Sequence, residues 1–297
     1  MTGTPSRASD ALAHVPEGPA PSSQQGERLL DLLRVMARLR GPGGCPWDAE
    51  QTHETLARHL LEETHELLEA IDAGDDAAMR DELGDVLLQV VFHAQMAAGD
   101  GRWDIDDVAQ GLVTKLVHRH PHVFGDTEVS GADEVLVNWE KLKAEESGER
   151  VTVDDGIPVT LPALARAAKV QRRAAGWGFE WRSSGSALAA LREEVDELGA
   201  AEGSDAAEEE VGDVLFATVA LARKLGVDAE SALRRTVRGF SKRYEVFVEL
   251  AADRDIDVES ADEQVMRSLF REARVVCEAR EAGATREVGA TREAGEA

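Results

Sequence analysis

The sequence predicts an all-α protein with two tandem helical-bundle modules between unstructured ends. Its 297 residues are rich in Ala, Leu, Glu and Arg, which favour helices. Aromatic residues make up only 4% and do not gather with Val and Ile into alternating runs, so a strand pattern is missing. An acidic helical segment also occurs twice, which points to a duplicated module. Hydrophobic residues reach 43%, enough for a packed core.

Residues 1–26 contain Pro5, Pro16, Pro19 and Pro21 and are expected to be a disordered leader. The first module is expected over 27–146. Leu29, Leu32, Leu33, Met36 and Leu39 give a helix over 27–40, which GPGGCP ends. Further helices follow at about 50–71, 77–98, 105–119 and 133–146, with a turn at Gly74-Asp75-Asp76 and a loop at 119–126 around Pro121. A linker at 147–160 leads to the second module at 161–277, with helices near 162–176, 186–201, 205–225, 228–252 and 260–277. From 278 the run EAGATREVGATREAGEA lacks large apolar residues and reads as a disordered tail.

The formal charge of −25, from 33 basic and 58 acidic residues, argues against nucleic acid or an anionic membrane as partner. A phosphate substrate would have to arrive with a metal. Cys45 and Cys277 are isolated and make neither a disulfide framework nor a zinc site. No run of about 18 apolar residues exists, and the N-terminus lacks a secretion signal. A cytoplasmic protein is expected.

The repeat carries the chemistry. LLEETHELLEAI from Leu60 and RDELGDVLLQVVFHAQ from Arg80 match ALREEVDELGAA from Ala190 and EEEVGDVLFATVALAR from Glu208. Glu66 and Glu82 are separated by 15 residues, Glu197 and Glu210 by 12. On a helix Glu62 and Glu66 share a face, with Glu63 about 100° away; Glu82 and Asp85 share a face of the next helix. Packed antiparallel, the two helices would converge four or five carboxylates. Such repulsion costs on the order of several kcal/mol without a counter-ion. Hard divalent cations bind this oxygen set, and magnesium leaves positions for water and phosphate.

Glutamate runs are usually solvated faces. Two features favour a metal here. Asp85 shares its face with Leu88, Gln89 and Phe92, and Asp213 with Phe216 and Ala217; an acid in an apolar stripe is costly unless paired. Both copies also keep the pattern. A di-iron centre needs two Glu-x-x-His motifs, but Asp196 stands where His65 would recur. Neither His53-Glu54 nor His65-Glu66 continues into a zincin helix. His118, His120 and His122 read as a polar loop beside the site.

Polyphosphate also needs cations. Lys115 and Arg119 share one helical face, and Lys141 and Lys143 flank the segment after Trp139. The second copy offers Lys169, Arg172, Arg173, Lys242 and Arg243. Trp139 is a candidate for stacking on a base, against a core role for its large apolar area.

With these residues in view, the chain resembles the MazG family of nucleotide pyrophosphohydrolases, within the all-α NTP pyrophosphatase group. GGCPWDAEQTHETL (43–56), LEETHELLEAI (61–71), DELGDVLLQVVFHAQ (81–95) and RHPHVFGD (119–126) are similar to the first module of two-module members. KVQRRAAGWGFEW (169–181) and EEEVGDVLFATVALAR (208–223) are similar to the second. The resemblance covers about 27–275. It implies hydrolysis of NTP or dNTP to monophosphate and pyrophosphate by an intertwined homodimer that uses Mg²⁺, with Mn²⁺ as a substitute. It implies metal ligands Glu62, Glu63, Glu66, Glu82 and Asp85 in the first copy, and Glu193, Glu194, Glu197, Glu210 and Asp213 in the second. Lys115, Arg119, Trp139 and Lys143 match nucleotide-contacting positions; in the second copy Lys242 and Arg243 are the candidates. Glu63 and Glu194 are the expected water-orienting groups. The chain departs from the family at His59 and Ala190, where lysine is frequent, and at Phe270, where a Trp is usual. Two rival readings are a non-catalytic helical regulator with acidic faces, and a dUTPase-like or phosphoribosyl-ATP pyrophosphohydrolase.

Overall fold

The computed structural model describes residues 26–131, 134, 135, 138, 139, 142 and 152–295, with only the backbone of 281–295. The chain divides into two compact units, residues 1–150 and 151–297. Among the described residues every regular element is a helix. None is long and apolar enough to cross a membrane.

The first unit contains α1 (Glu27–Arg40), α2 (Pro46–Glu50), α3 (His53–Ala73), α4 (Asp76–Gly99), α5 (Ile105–Arg119) and α6 (Pro121–Phe124). Its centre is the antiparallel hairpin of α3 and α4. Thr52 starts α3 with a capping box, and Asp75 caps α4 through the amides of Ala77 and Ala78. Between them Gly74 closes α3 at φ 67°, a left-handed conformation that costs glycine little. α1 packs on α4, and Met36, Leu56, Val91, Phe92 and Met96 form the buried core.

The second unit repeats the plan with α7 (Ala163–Gly176), α8 (Ser184–Ala200), α9 (Ser204–Lys224), α10 (Ala229–Asp253) and α11 (Glu263–Gly295). α8 and α9 make the hairpin, and α7 packs on α9. Gln171 of α7 donates from Nε2 to the Phe216 carbonyl at 2.8 Å. A separate core of Val246, Phe247, Ala251, Leu269 and Ala273 joins α10 to α11.

Four expectations need comment. Residues 121–124 form a helical turn rather than continuous loop, because proline at the first helical position has no amide to satisfy. The last helix runs to Gly295, through the segment from 278 expected to be disordered; its Ala, Glu and Arg are strong helix formers even without a face to bury. The leader to residue 25 lies outside the described residues. So does most of the helix expected at 133–146, with Lys141 and Lys143 in it.

Candidate metal and nucleotide site

The hairpin places the acids through its heptad geometry. Leu56 and Ala70 are the buried residues of α3, and Glu63 lies midway, seven residues from each. Two turns of helix return a residue to nearly the same face, so Glu63 occupies the inward stripe. On α4, Glu82 stands seven residues before buried Gln89 and fourteen before buried Met96. The second unit repeats this, with Glu194 seven residues after buried Ala187. Carboxylates therefore stand where the hairpin would otherwise continue its core.

Two matched groups result. Glu63, Glu66 and Glu82 each bring a carboxylate oxygen within 4.8 Å of the others, and so do Glu194, Glu197 and Glu210. The first and third members of each group are half-buried and the middle one is exposed. The electrostatics match too. Partial burial, then the charges of Asp85, Glu66 and Glu82, pushes the Glu63 carboxyl above its ordinary range. Burial with Glu66 and Asp85 does the same to Glu82. Glu194 rises through burial, Glu197 and Asp213; Glu210 rises through burial, Glu197 and Asp213. One Glu210 oxygen is buried without a hydrogen-bond partner. Three hard oxygen donors around one point suit a divalent cation, and in the second group the unpartnered Glu210 oxygen lies on one of the three residues.

The structure modifies the expected ligand geometry. The clustered pair on α3 is Glu63 and Glu66, not Glu62 and Glu66, because the i, i+3 relation also places neighbours together. Glu62 lies outside the cluster, with one oxygen 3.1 Å from His59 Nδ1; Glu193 is outside its cluster too. Asp85 and Asp213 are exposed rather than sunk in apolar surroundings. The stripe that includes Gln89 and Phe92 turns inward one helical turn further on, and the charges of the aspartates raise the clustered glutamates. The signal that separates Glu63 from Glu62 was present in the sequence as the seven-residue spacing from Leu56 and to Ala70.

The cationic side is partly described. The Arg119 guanidinium lies 5.4 Å from the Trp139 ring centroid, and the His120 ring meets Trp139 edge-on at 4.9 Å. A carbonyl only accepts, so His120 Nδ1 donates to Leu116 O at 2.6 Å. This leaves Nε2 of a neutral His120 as an acceptor. The three loop histidines form no metal-holding group among the described residues. Lys143 lies outside those residues. α5 and α10 align without a gap from their capping aspartates, Asp104 and Asp228. Arg243 then matches Arg119, but Gly239 stands at the position of Lys115. The Arg243 Nε donates back to the Gly239 carbonyl at 2.8 Å, and its guanidinium lies 5.7 Å from the Phe270 ring centroid. Lys242 matches His118.

A duplicated all-α hairpin with paired carboxylate clusters defines the class. The model of the MazG nucleotide pyrophosphohydrolase domain matches twice, at residues 51–124 and 182–247. The chain is 43% identical over 251 residues to the nucleoside triphosphate pyrophosphohydrolase of Escherichia coli K12, covering 82% of this chain and 95% of that protein. A Thermotoga maritima protein, named nucleoside triphosphate pyrophosphohydrolase/pyrophosphatase MazG, is 45% identical over 221 residues, covering 74% and 85%. The Mycobacterium tuberculosis nucleoside triphosphate pyrophosphohydrolase is 48% identical over 157 residues, or 52% and 47% of the two chains. The chain belongs to the MazG family.

Proposed function

We propose that this chain, a nucleoside triphosphate pyrophosphohydrolase, converts NTPs and dNTPs to monophosphate and pyrophosphate with Mg²⁺ held at its carboxylate clusters. The observation that carries this reading is the recurrence of one three-carboxylate group in both hairpins, with the same two positions raised in pKa. The proposed ligands are Glu63, Glu66 and Glu82 with Asp85, and Glu194, Glu197 and Glu210 with Asp213. Glu62 and Glu193 stand at the margin of each site. When bound, Mg²⁺ supplies charge neutralisation for the triphosphate and the leaving pyrophosphate.

The chain's own residues do the rest. Glu63 and Glu194 orient the attacking water and accept its proton. Lys115 and Arg119 bind phosphate oxygens in the first module, with Lys143 beyond them, and Trp139 stacks on the base. Lys242 and Arg243 do so in the second. Lys and Arg stabilise charge on the equatorial oxygens during transfer.

A homodimer fits the surface. Beside the acids, α4 exposes Leu83 and Leu87, and α9 exposes Val211 and Leu215 at the matching positions. A second copy packed on these i, i+4 pairs would cover them.

The test is turnover. Purified protein is incubated with each NTP and dNTP, with Mg²⁺, with Mn²⁺ and with chelator, and products are separated by ion exchange. Monophosphate plus pyrophosphate, formed only with metal and reduced in Glu63→Ala or Glu194→Ala, is the expected result. Folded wild-type protein that hydrolyses no nucleotide would overturn the reading.

A further inference from the structure

The far end of the first hairpin carries a second cluster of titratable groups, outside the carboxylate site. His53 opens α3 and His93 lies on α4. His53 is ten residues from Glu63, or about 15 Å along the helix. The two imidazoles lie edge to edge and nearly coplanar, with centroids 4.9 Å apart, an interplanar angle of 3° and Nδ1 atoms 2.7 Å apart. Arg102, just beyond α4, brings Nη2 to 2.8 Å from His53 Nε2. Trp103 stacks on His53 at 6.3 Å.

The protons of this chain of bonds follow from valence. A guanidinium only donates, so His53 Nε2 accepts. The single proton of His53 is then on Nδ1 and donates to His93 Nδ1, which must be bare. His93 carries its proton on Nε2. Both rings are neutral, and each nitrogen able to take another proton is already an acceptor. A proton on His53 Nε2 would face Arg102, and one on His93 Nδ1 would face the His53 N–H. Either breaks a hydrogen bond by setting donor against donor, and the first also sets an imidazolium against the Arg102 guanidinium.

The second hairpin is fastened differently. Ser184 and Leu221 stand at the positions of His53 and His93. The same end is tied by Glu180, which pairs with Arg223 at 2.9 Å and Lys224 at 3.2 Å. Burial pushes the Glu180 carboxyl up, but Arg223 and Lys224 outweigh it and hold Glu180 below its ordinary range, so this fastener keeps its charges throughout mildly acidic pH.

We propose that His53, His93 and Arg102 form a pH-sensitive fastener that holds the open end of the first hairpin at neutral pH and releases it on mild acidification. Burial and His53 already hold the His93 pKa down, the sense expected of a pair that resists protonation. The charged groups on the elements that adjoin it are Glu54 on α3, whose charge couples to His53, Asp100 at the end of α4, Arg40 of α1, which packs on α4, and Asp104, Asp106 and Asp107 at the start of α5. Asp100 is committed to Arg102 at 3.0 Å, and Asp104 and Asp107 to their capping box. The acids left nearby would ease protonation once the pair opens.

The test is amide hydrogen exchange on the full chain, in chelator, at about pH 7.5 and about pH 5.5, corrected for the intrinsic pH dependence. Peptides over 53–60 and 90–102 should lose protection about fivefold or more, the scale of one lost hydrogen bond. The matching peptides over 184–191 and 218–224 should not. That module carries the same carboxylate cluster, so its peptides control for titration of the acids. His53→Ser with His93→Leu, which copies the second hairpin, should abolish the pH response. Equal responses in both hairpins, no response in the first, or a response that persists in a folded double variant would overturn the proposal. The wild-type comparison decides alone if that variant does not fold.

Discussion

Replacing Glu63 by leucine should stabilise the metal-free protein while abolishing the first cluster's response to Mg²⁺. Position 63 lies on the inward stripe between Leu56 and Ala70 and is half-buried. Full burial of a leucine is worth about 1.5–3 kcal/mol, so half burial gives about 1 kcal/mol. Removing one charge from a cluster raised by mutual repulsion adds to this in the same direction. For a module of this size, about 1 kcal/mol moves Tm by roughly 4 °C. Thermal unfolding would be followed in chelator and in saturating Mg²⁺, alongside wild type and Glu63→Gln. Wild type gains stability from any ligand that binds only the folded state, about 2.7 kcal/mol at a hundredfold excess over Kd. The leucine variant should keep only the gain contributed by the second cluster. A metal-free Glu63→Leu protein less stable than wild type would refute the claim that this carboxylate strains the hairpin.

Other outcomes follow from the same geometry. In chelator the raised carboxylates favour the protonated form in the folded state. Their contribution is fully present below the unfolded carboxyl pKa of about 4.3 and is lost as pH rises through the raised folded values. Stability from the second cluster should therefore grow as pH falls below neutrality; the difference between wild type and Glu194→Gln/Glu210→Gln isolates it in pH-dependent unfolding. Lys115→Ala should lower kcat/KM about 10- to 100-fold, the worth of a hydrogen bond to a charged group, when turnover is measured in a Glu194→Ala background. Gly239→Lys should raise turnover by the second module in a Glu63→Ala background, since a side chain there meets nothing nearer than the Arg243 guanidinium at 3.9 Å. Leu56→Ala, at a side chain 1% exposed, should cost about 2–5 kcal/mol and lower the unfolding temperature measured by circular dichroism.

Most of the hairpin architecture was legible because period and punctuation agreed. Thr52, Asp75, Asp104, Ser183 and Asp228 each sit before a periodic run and cap it. Expectation and structure part where two local rules compete. Pro121 disfavours helix for the residue before it but starts a turn of its own. In the tail, Ala, Glu and Arg form helix although no apolar face asks for it. Within the site, residue types pointed to the right segments, but two adjacent glutamates cannot be told apart by type. Only the buried positions seven residues away distinguish Glu63 from Glu62. The interhelical pairing of His53 with His93 was not legible, because it depends on the register of α3 against α4 and neither residue belongs to a motif.

The two modules show what the hairpin tolerates and what it keeps. The open end is fastened by hydrogen-bonded imidazoles in one copy and by a carboxylate between two cations in the other. The buried glutamine also differs: Gln89 lies on the hairpin itself in the first, while in the second Ala217 takes its place and Gln171 comes from α7. Fasteners and core glutamine are thus exchangeable solutions to joining the same helices. The carboxylates are not exchanged. They occupy stripe positions that apolar residues would fill with gain in stability, and their strain recurs at matching residues. A feature that costs stability twice, in surroundings otherwise rebuilt, is explained by what it binds. On a chain of charge −25, a cation is the ligand such a cluster suits, which is the order of binding the proposed reaction requires.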